Sequence, residues 1–204
     1  MNKRLISATF LAFTALIIGT STASADVAPT QSMTHMKTAL GLAAALESAG
    51  VVLHTQGGAT SGVIGDSLSA ANSQVVFHIP ITANKSGVQH LGSNIVLFNT
   101  SNNSIVQLRN PVIDLAKGFV TATVPQSANQ SITIFTISNA AELKAKVTTD
   151  KKTKIRSTAY AGAQLALAPG VAGTLVTLLG LPANAIAEST VFGSADVTLK
   201  RVVK

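Results

Sequence analysis

The chain has 204 residues, no cysteine and no tryptophan, and fifteen basic residues against eight acidic ones. The missing cysteine excludes disulfides, thiolate metal sites and a lipid anchor on a cysteine, so the fold must be held by packing alone. One Tyr and seven Phe are too few for the aromatic stacking platforms of single-stranded nucleic-acid binders, so no nucleic-acid partner is expected.

The first 25 residues read as a signal peptide. Lys3 and Arg4 form a short positive region, the run Leu5 to Gly19 is largely apolar, and Ala23-Ser24-Ala25 fits a small-residue cleavage site ahead of Asp26. That apolar run is too short and too rich in Ser and Thr for a membrane span, and no later stretch is long enough. Residues 26–204 are expected to form one extracytoplasmic domain, in a periplasm, at a cell surface or outside the cell.

Along the chain, Asp26 to Ser32 reads as a polar start and Thr38 to Leu42 alternates as a strand. Ala43 to Ala49 is a run of strong helix formers stopped by Gly50. Val51 to His54 is a strand candidate. Gly57 to Ala71, rich in Gly, Ser and Ala, reads as a loop. Gln74 to Val124 then reads as a five-strand antiparallel meander, its segments separated by Gly, Pro and Asn turns. Gly87, Gly92, Asn110, Pro111 and Gly118 are its turn and scaffold residues. Four further strands are expected over Ser131–Ile137, Leu143–Thr148, Lys154–Ala159 and Ala163–Ala168. A short helix over Val171–Leu179 stops at Gly180, and a last strand follows with Ala195, Val197 and Leu199 on one face. Two strand-helix-Gly units, ending at Gly50 and Gly180, flank the meander. The fold class is all-β, an antiparallel β-sandwich or flattened barrel with two short helices.

Little in the residues announces catalysis. No two carboxylates of residues 26–204 lie within four positions of each other, and the sequence has no Gly-x-Ser-x-Gly, phosphate loop or dinucleotide fingerprint. The chain therefore reads as a non-enzyme with no catalytic residues. His35, His54, His78 and His90 lack the short spacings of zinc motifs, so no metal site is expected. Surface positions on strands suit the first three. His90 stands between Gly87 and Gly92, where an imidazole projecting from a turn could meet a ligand or a haem iron. Basic residues crowd one segment, with Lys144, Lys146, Lys151, Lys152, Lys154 and Arg156 against Asp150 alone. This is the pattern of a solvated hairpin tip. Lys151, Lys152 and Lys154 are also candidate contacts for an anionic ligand.

The segment Gly87-Val88-Gln89-His90-Leu91-Gly92, the later Asn110-Pro111-Val112-Ile113-Asp114-Leu115 and the Gly118-led strand resemble the HtaA-like haem-transport-associated domains. Phe135-Thr136-Ile137 and Phe192 to Val197 fit the same plan loosely. The resemblance implies a secreted β-rich module, with haem as candidate ligand held by a tyrosine supported by histidine. It carries over to His90 and to Asn110–Pro111. The family's N-terminal element rich in Trp, Gly, Phe and Tyr is absent, and Tyr160 is the single tyrosine. The leading expectation is a non-enzymatic exported module binding haem or another flat or anionic ligand. The rival is a structural or adhesive protein without a small ligand, self-associating through open sheet edges. A mean hydropathy of +0.41 suits the rival.

Overall fold

Residues 32–203 are described in the computed structural model of the chain; the expected signal peptide, residues 1–25, lies outside them. In chain order they form β1 (Met33–Thr38), α1 (Leu42–Ser48), β2 (Val51–Gly57), β3 (Thr60–Ile64), β4 (Gln74–Pro80), β5 (Val88–Gln89) and β6 (Ser93–Asn99). Then come β7 (Ile105–Asp114), β8 (Phe119–Val124), β9 (Gln130–Ile137), β10 (Lys146–Asp150), β11 (Ile155–Leu167), α2 (Val171–Leu179) and β12 (Val191–Val202). The strands make one antiparallel sheet in the order β2-β6-β7-β8-β9-β11-β12-β1-β4-β3, with β5 added to β7 and β10 to β11. Strands β2 and β3 end that order but are consecutive in the chain. The short connection between them therefore brings the two ends of the sheet near each other, with Thr55 Oγ1 donating to Ser61 Oγ at 3.3 Å. The result is a nearly closed antiparallel barrel, the all-β class the strand pattern implies.

A period of two decides which residues fill it. Val75, Phe77 and Ile79 of β4 are buried while His78 faces outward. Val120, Ala122 and Val124 of β8 and Ala195 and Val197 of β12 repeat the pattern. Each large aliphatic or Phe side chain so buried contributes roughly 1.5–3 kcal/mol.

The barrel has two unlike ends. Both helices sit at one of them and begin alike, each after a glycine in the left-handed region, Gly41 (φ 76°) and Gly170 (φ 79°). Both run into the β6–β7 turn. The Thr100 hydroxyl donates to Gly50 O at 3.1 Å, and the side-chain amides of Asn99 and Asn102 donate to Leu179 O at 2.8 and 2.9 Å. These bonds satisfy backbone carbonyls that a helix end leaves without partners. The echo between the two strand-helix-Gly units is thus one of local geometry as well as sequence.

Several elements differ from the sequence reading. The first strand is Met33–Thr38, not Thr38–Leu42, because Thr34 and Thr38 take inward positions beside Met36 and blur the apolar period. The loop expected over Gly57–Ala71 contains β3, which is exposed along its length and so shows no buried period. Within the expected meander, the apolar run Ser104–Leu108 and the segment Asn110–Leu115 that follows it fall on one strand, β7. Asn110–Pro111 is a bulge within it rather than a turn between strands: Asn110 takes φ 49°, and the register with β8 shifts between Arg109 and Val112. Lys154–Ala159 and Ala163–Ala168 likewise merge into β11, which bulges against β12 between Tyr160 and Ala163. The strand expected from Leu143 begins at Lys146, after a 3-10 turn at Ala140–Glu142.

Candidate functional site

His90 does not project from its turn into solvent. It is 1% exposed and points into the barrel. Gly87 (φ 100°) and Gly92 (φ 77°) turn the chain on either side of it. The Gly92 N–H donates to Asn110 Oδ1 at 2.8 Å and the His90 N–H to Pro111 O at 3.1 Å, which fastens this turn to the β7 bulge. His90 Nδ1 lies 2.8 Å from Pro111 O, and Nε2 lies 2.8 Å from Thr34 Oγ1. A carbonyl only accepts, so Nδ1 carries the proton and Nε2 accepts from the Thr34 hydroxyl. Burial pushes the His90 pKa down to about 4 from 6.5, against the smaller opposing effect of the Pro111 carbonyl. His90 is therefore a neutral, fully hydrogen-bonded imidazole. Beside it is an apolar cavity of about 20 Å³, among Met36, Ile95, Phe135 and Leu165. That is room for about one water and none for a flat ligand.

Tyr160 lies at the end of the barrel away from the helices. Along one edge, β11 pairs first with β10 (Ile155 to Ala159) and then with β9 (Leu165 to Leu167). Between these partners the chain leaves β9, makes the 3-10 turn and returns as β10. The side-chain amide of Asn139 bridges the gap, donating to Gly162 O at 2.9 Å and accepting from Gln164 N at 2.8 Å. Tyr160 is half-buried at this change of partner and at the bulge, opposite the fully buried Val197 of β12. It lines two surface depressions. One, of about 430 Å³, is lined by Leu115, Ala116, Lys117, Ala140, Ala141 and Leu143. The other, of about 210 Å³, is lined by Asn84, Arg156, Thr158, Leu199, Lys200 and Arg201. Arg156 and Arg201 are register partners on neighbouring strands. Because Tyr160 lines both, the depressions adjoin at it; this Tyr160 trough has a mixed apolar and polar lining on one side, Lys117 included, and Arg156, Lys200 and Arg201 on the other.

The cations differ in availability. Among the described residues the ion pair is Lys117 with Asp114, at 3.3 Å. Hydrogen bonding from the Lys117 backbone N–H is the largest cause holding the Asp114 carboxyl below its usual pKa. Arg156, Lys200 and Arg201 have no carboxylate within salt-bridge distance among the described residues. Lys151, Lys152 and Lys154 stand exposed at the β10–β11 hairpin tip and do not line the trough. Gly118 (φ 74°) makes the β7–β8 turn, whose Leu115–Lys117 segment forms one wall.

Of the residues singled out in the sequence, the structure brings together His90, Gly87, Gly92, Asn110 and Pro111, and separately places Tyr160 in the trough. Arg156 was legible only as part of a charge run. A further pair was not legible at all. His35 of β1 and His78 of β4 are register partners on the outer wall, with Nδ1 atoms 2.8 Å apart and rings at 90°.

No protein-family model and no curated protein matches the chain. Among solved structures the chain is similar to the C-terminal domain of HtaA from Corynebacterium glutamicum, with 13% identity over 82% of this chain and 96% of that one, and a TM-score of 0.41. The resemblance is one of scaffold.

Proposed function

We propose that the chain is a non-enzymatic exported binding module that holds a flat, amphipathic, anionic ligand in the Tyr160 trough, haem being the leading candidate. The observation that carries this reading is the position of Tyr160. The partner change along β11 leaves a half-buried tyrosine that lines both a depression walled mainly by Leu and Ala and one carrying cations without carboxylate partners among the described residues. A haem offers an apolar macrocycle, carboxylates at one edge and an iron that accepts an oxygen or nitrogen ligand. The donor set of the trough fits that chemistry: Leu115, Ala140 and Leu143 for the ring, Arg156 and Arg201 for the carboxylates, and the Tyr160 phenol for the metal. His90 has no part in this reading, because both its nitrogens are engaged inside the barrel. The hydrogen-bond partners of that buried histidine are a threonine hydroxyl and a backbone carbonyl. With no carboxylate to orient it, it makes a poor general base, which favours binding over catalysis.

The experiment is a haemin titration of the protein followed by its Soret band, alongside Tyr160→Phe, Arg156→Gln/Arg201→Gln and His90→Gln. The reading expects a saturable shifted band, changed in form by Tyr160→Phe, weakened several-fold by the double arginine variant, and kept by folded His90→Gln. A featureless titration, or a band indifferent to Tyr160 and both arginines, rejects it. One observation favours the second reading, a self-associating structural protein. Edge strand β3 exposes Val63 and Ile64, at 50% and 59%, beside unpaired backbone. Concentration-dependent association in sedimentation velocity, with no haemin binding, would select it.

A further inference from the structure

The outer wall of the barrel carries a second constellation, which shares no residue with the trough. His35 and His78 are 43 residues apart in the chain, yet directly opposite each other across the β1–β4 pairing. Both are exposed, because their neighbours Thr34, Met36, Phe77 and Ile79 take the inward positions. Each backbone is fixed on both sides, β1 between β12 and β4, and β4 between β1 and β3. The two Nδ1 atoms, 2.8 Å apart, share one proton: one donates and the other accepts. If both rings were protonated at Nδ1, two N–H groups would face each other.

We propose that His35 and His78 chelate a divalent transition-metal ion of borderline softness, such as copper(II), nickel(II) or zinc, through their facing Nδ1 atoms. Two imidazole nitrogens at about 2.0–2.1 Å from a common cation lie about 2.9 Å apart at a right angle and about 3.3 Å apart at the tetrahedral angle. The observed 2.8 Å needs only a small rotation of two exposed rings, with the cation taking the place of the shared proton. The surroundings narrow the choice of ion. Asp196 of β12 is the register partner of His35 on its other side, and its Oδ1 accepts from Gly162 N at 2.7 Å. Thr60 of β3 flanks His78. Lys37, two residues along β1, stands on the same outer face. No cluster of three His or acidic side chains suited to a metal is present among the described residues. The site is thus a two-nitrogen chelate with positions left open to water or a further ligand. A hard cation such as calcium, which needs several oxygen ligands, is disfavoured, and the order of affinities should run copper(II) above nickel(II) and zinc. Bound there, the ion would tie β1 to β4 and stabilise the barrel by mass action.

The test is a calorimetric titration of the whole protein with copper(II) chloride in a non-chelating buffer, repeated by electron paramagnetic resonance. Variants are His35→Gln, His78→Gln and, as control, His54→Gln on β2. The proposal expects one copper ion per chain with nitrogen hyperfine structure, affinity lowered at least tenfold by either His35→Gln or His78→Gln, and no change in His54→Gln. A rise in melting temperature with copper should vanish in the same two variants. Absent saturable binding, or binding that survives both substitutions, overturns it. Both variants lie on the solvent face, so folding is checked independently by far-ultraviolet circular dichroism.

Discussion

Replacing His90 with glutamine should flatten the acid side of the stability profile. In the folded chain the His90 pKa is about 4, while the reference value is 6.5. Because the folded value is the lower one, the unfolded chain takes up the proton first. The advantage of a buried neutral imidazole is fully present above about pH 6.5 and is lost as pH falls toward about 4. At about 1.4 kcal/mol per pH unit, the whole window is worth roughly 3 kcal/mol, most of it gone by about pH 4.5. Asp114 and Asp150 also have lowered pKa values, so their contributions fall in acid too. Both are present in wild type and variant and cancel in the comparison. Glutamine cannot titrate, and its amide can still donate toward Pro111 O and accept from Thr34. The assay is urea unfolding of both proteins at several pH values from about 7.5 to 4.5. His90→Gln should be the less stable near neutrality, and the difference should shrink by about 2–3 kcal/mol across that range. Parallel profiles would refute the assignment of a buried neutral histidine.

Other consequences are tested with the same unfolding measurements. Asn99 is 2% exposed, donates to Leu179 O at 2.8 Å and accepts from Ser101 N at 2.9 Å. Asn99→Ala should cost about 1–3 kcal/mol, and adding Asn102→Ala should cost more because Leu179 O then loses both side-chain donors. A Cβ on Gly193 (φ 155°) would lie 1.9 Å from Lys37 O. Backbone cannot step aside as a flexible side chain can, so Gly193→Ala should disrupt the β12–β1 pairing and cost more than about 4 kcal/mol, or prevent folding. Native-like stability in that variant would show that the two strands are not so closely apposed.

The fold class was readable because Val75-Phe77-Ile79, Ala195-Val197 and the β8 alternation each bury one face, and because glycines mark many strand ends. What escaped the sequence has common causes. Inward threonines, Thr34 and Thr38, hid β1, since a hydroxyl can be buried when the barrel supplies a partner, as Thr34 does with His90. Edge strand β3 buries nothing and so has no pattern to read. Bulges at Asn110 and Gly162 look like turns, because a Gly or Asn taking the left-handed conformation is the same local signal in both. The site was less legible still. His90 stood out for its glycines, yet those glycines turn the imidazole inward onto Pro111. Tyr160 was visible as the single tyrosine, but the trough around it is assembled from β7–β8, β9–β10, β11 and β12, which no spacing rule connects. The His35–His78 pair depends on the β1–β4 register alone.

The central claim is that ligand enters the Tyr160 trough rather than the barrel interior. It is tested most directly by backbone amide chemical-shift mapping during titration with gallium(III) protoporphyrin, a diamagnetic stand-in for haem. Saturable shifts are expected at Ala116, Lys117, Leu143, Arg156, Tyr160 and Arg201, while His90 and the outer-wall His35 stay unmoved. Shifts centred on His90 or scattered without saturation would contradict the account.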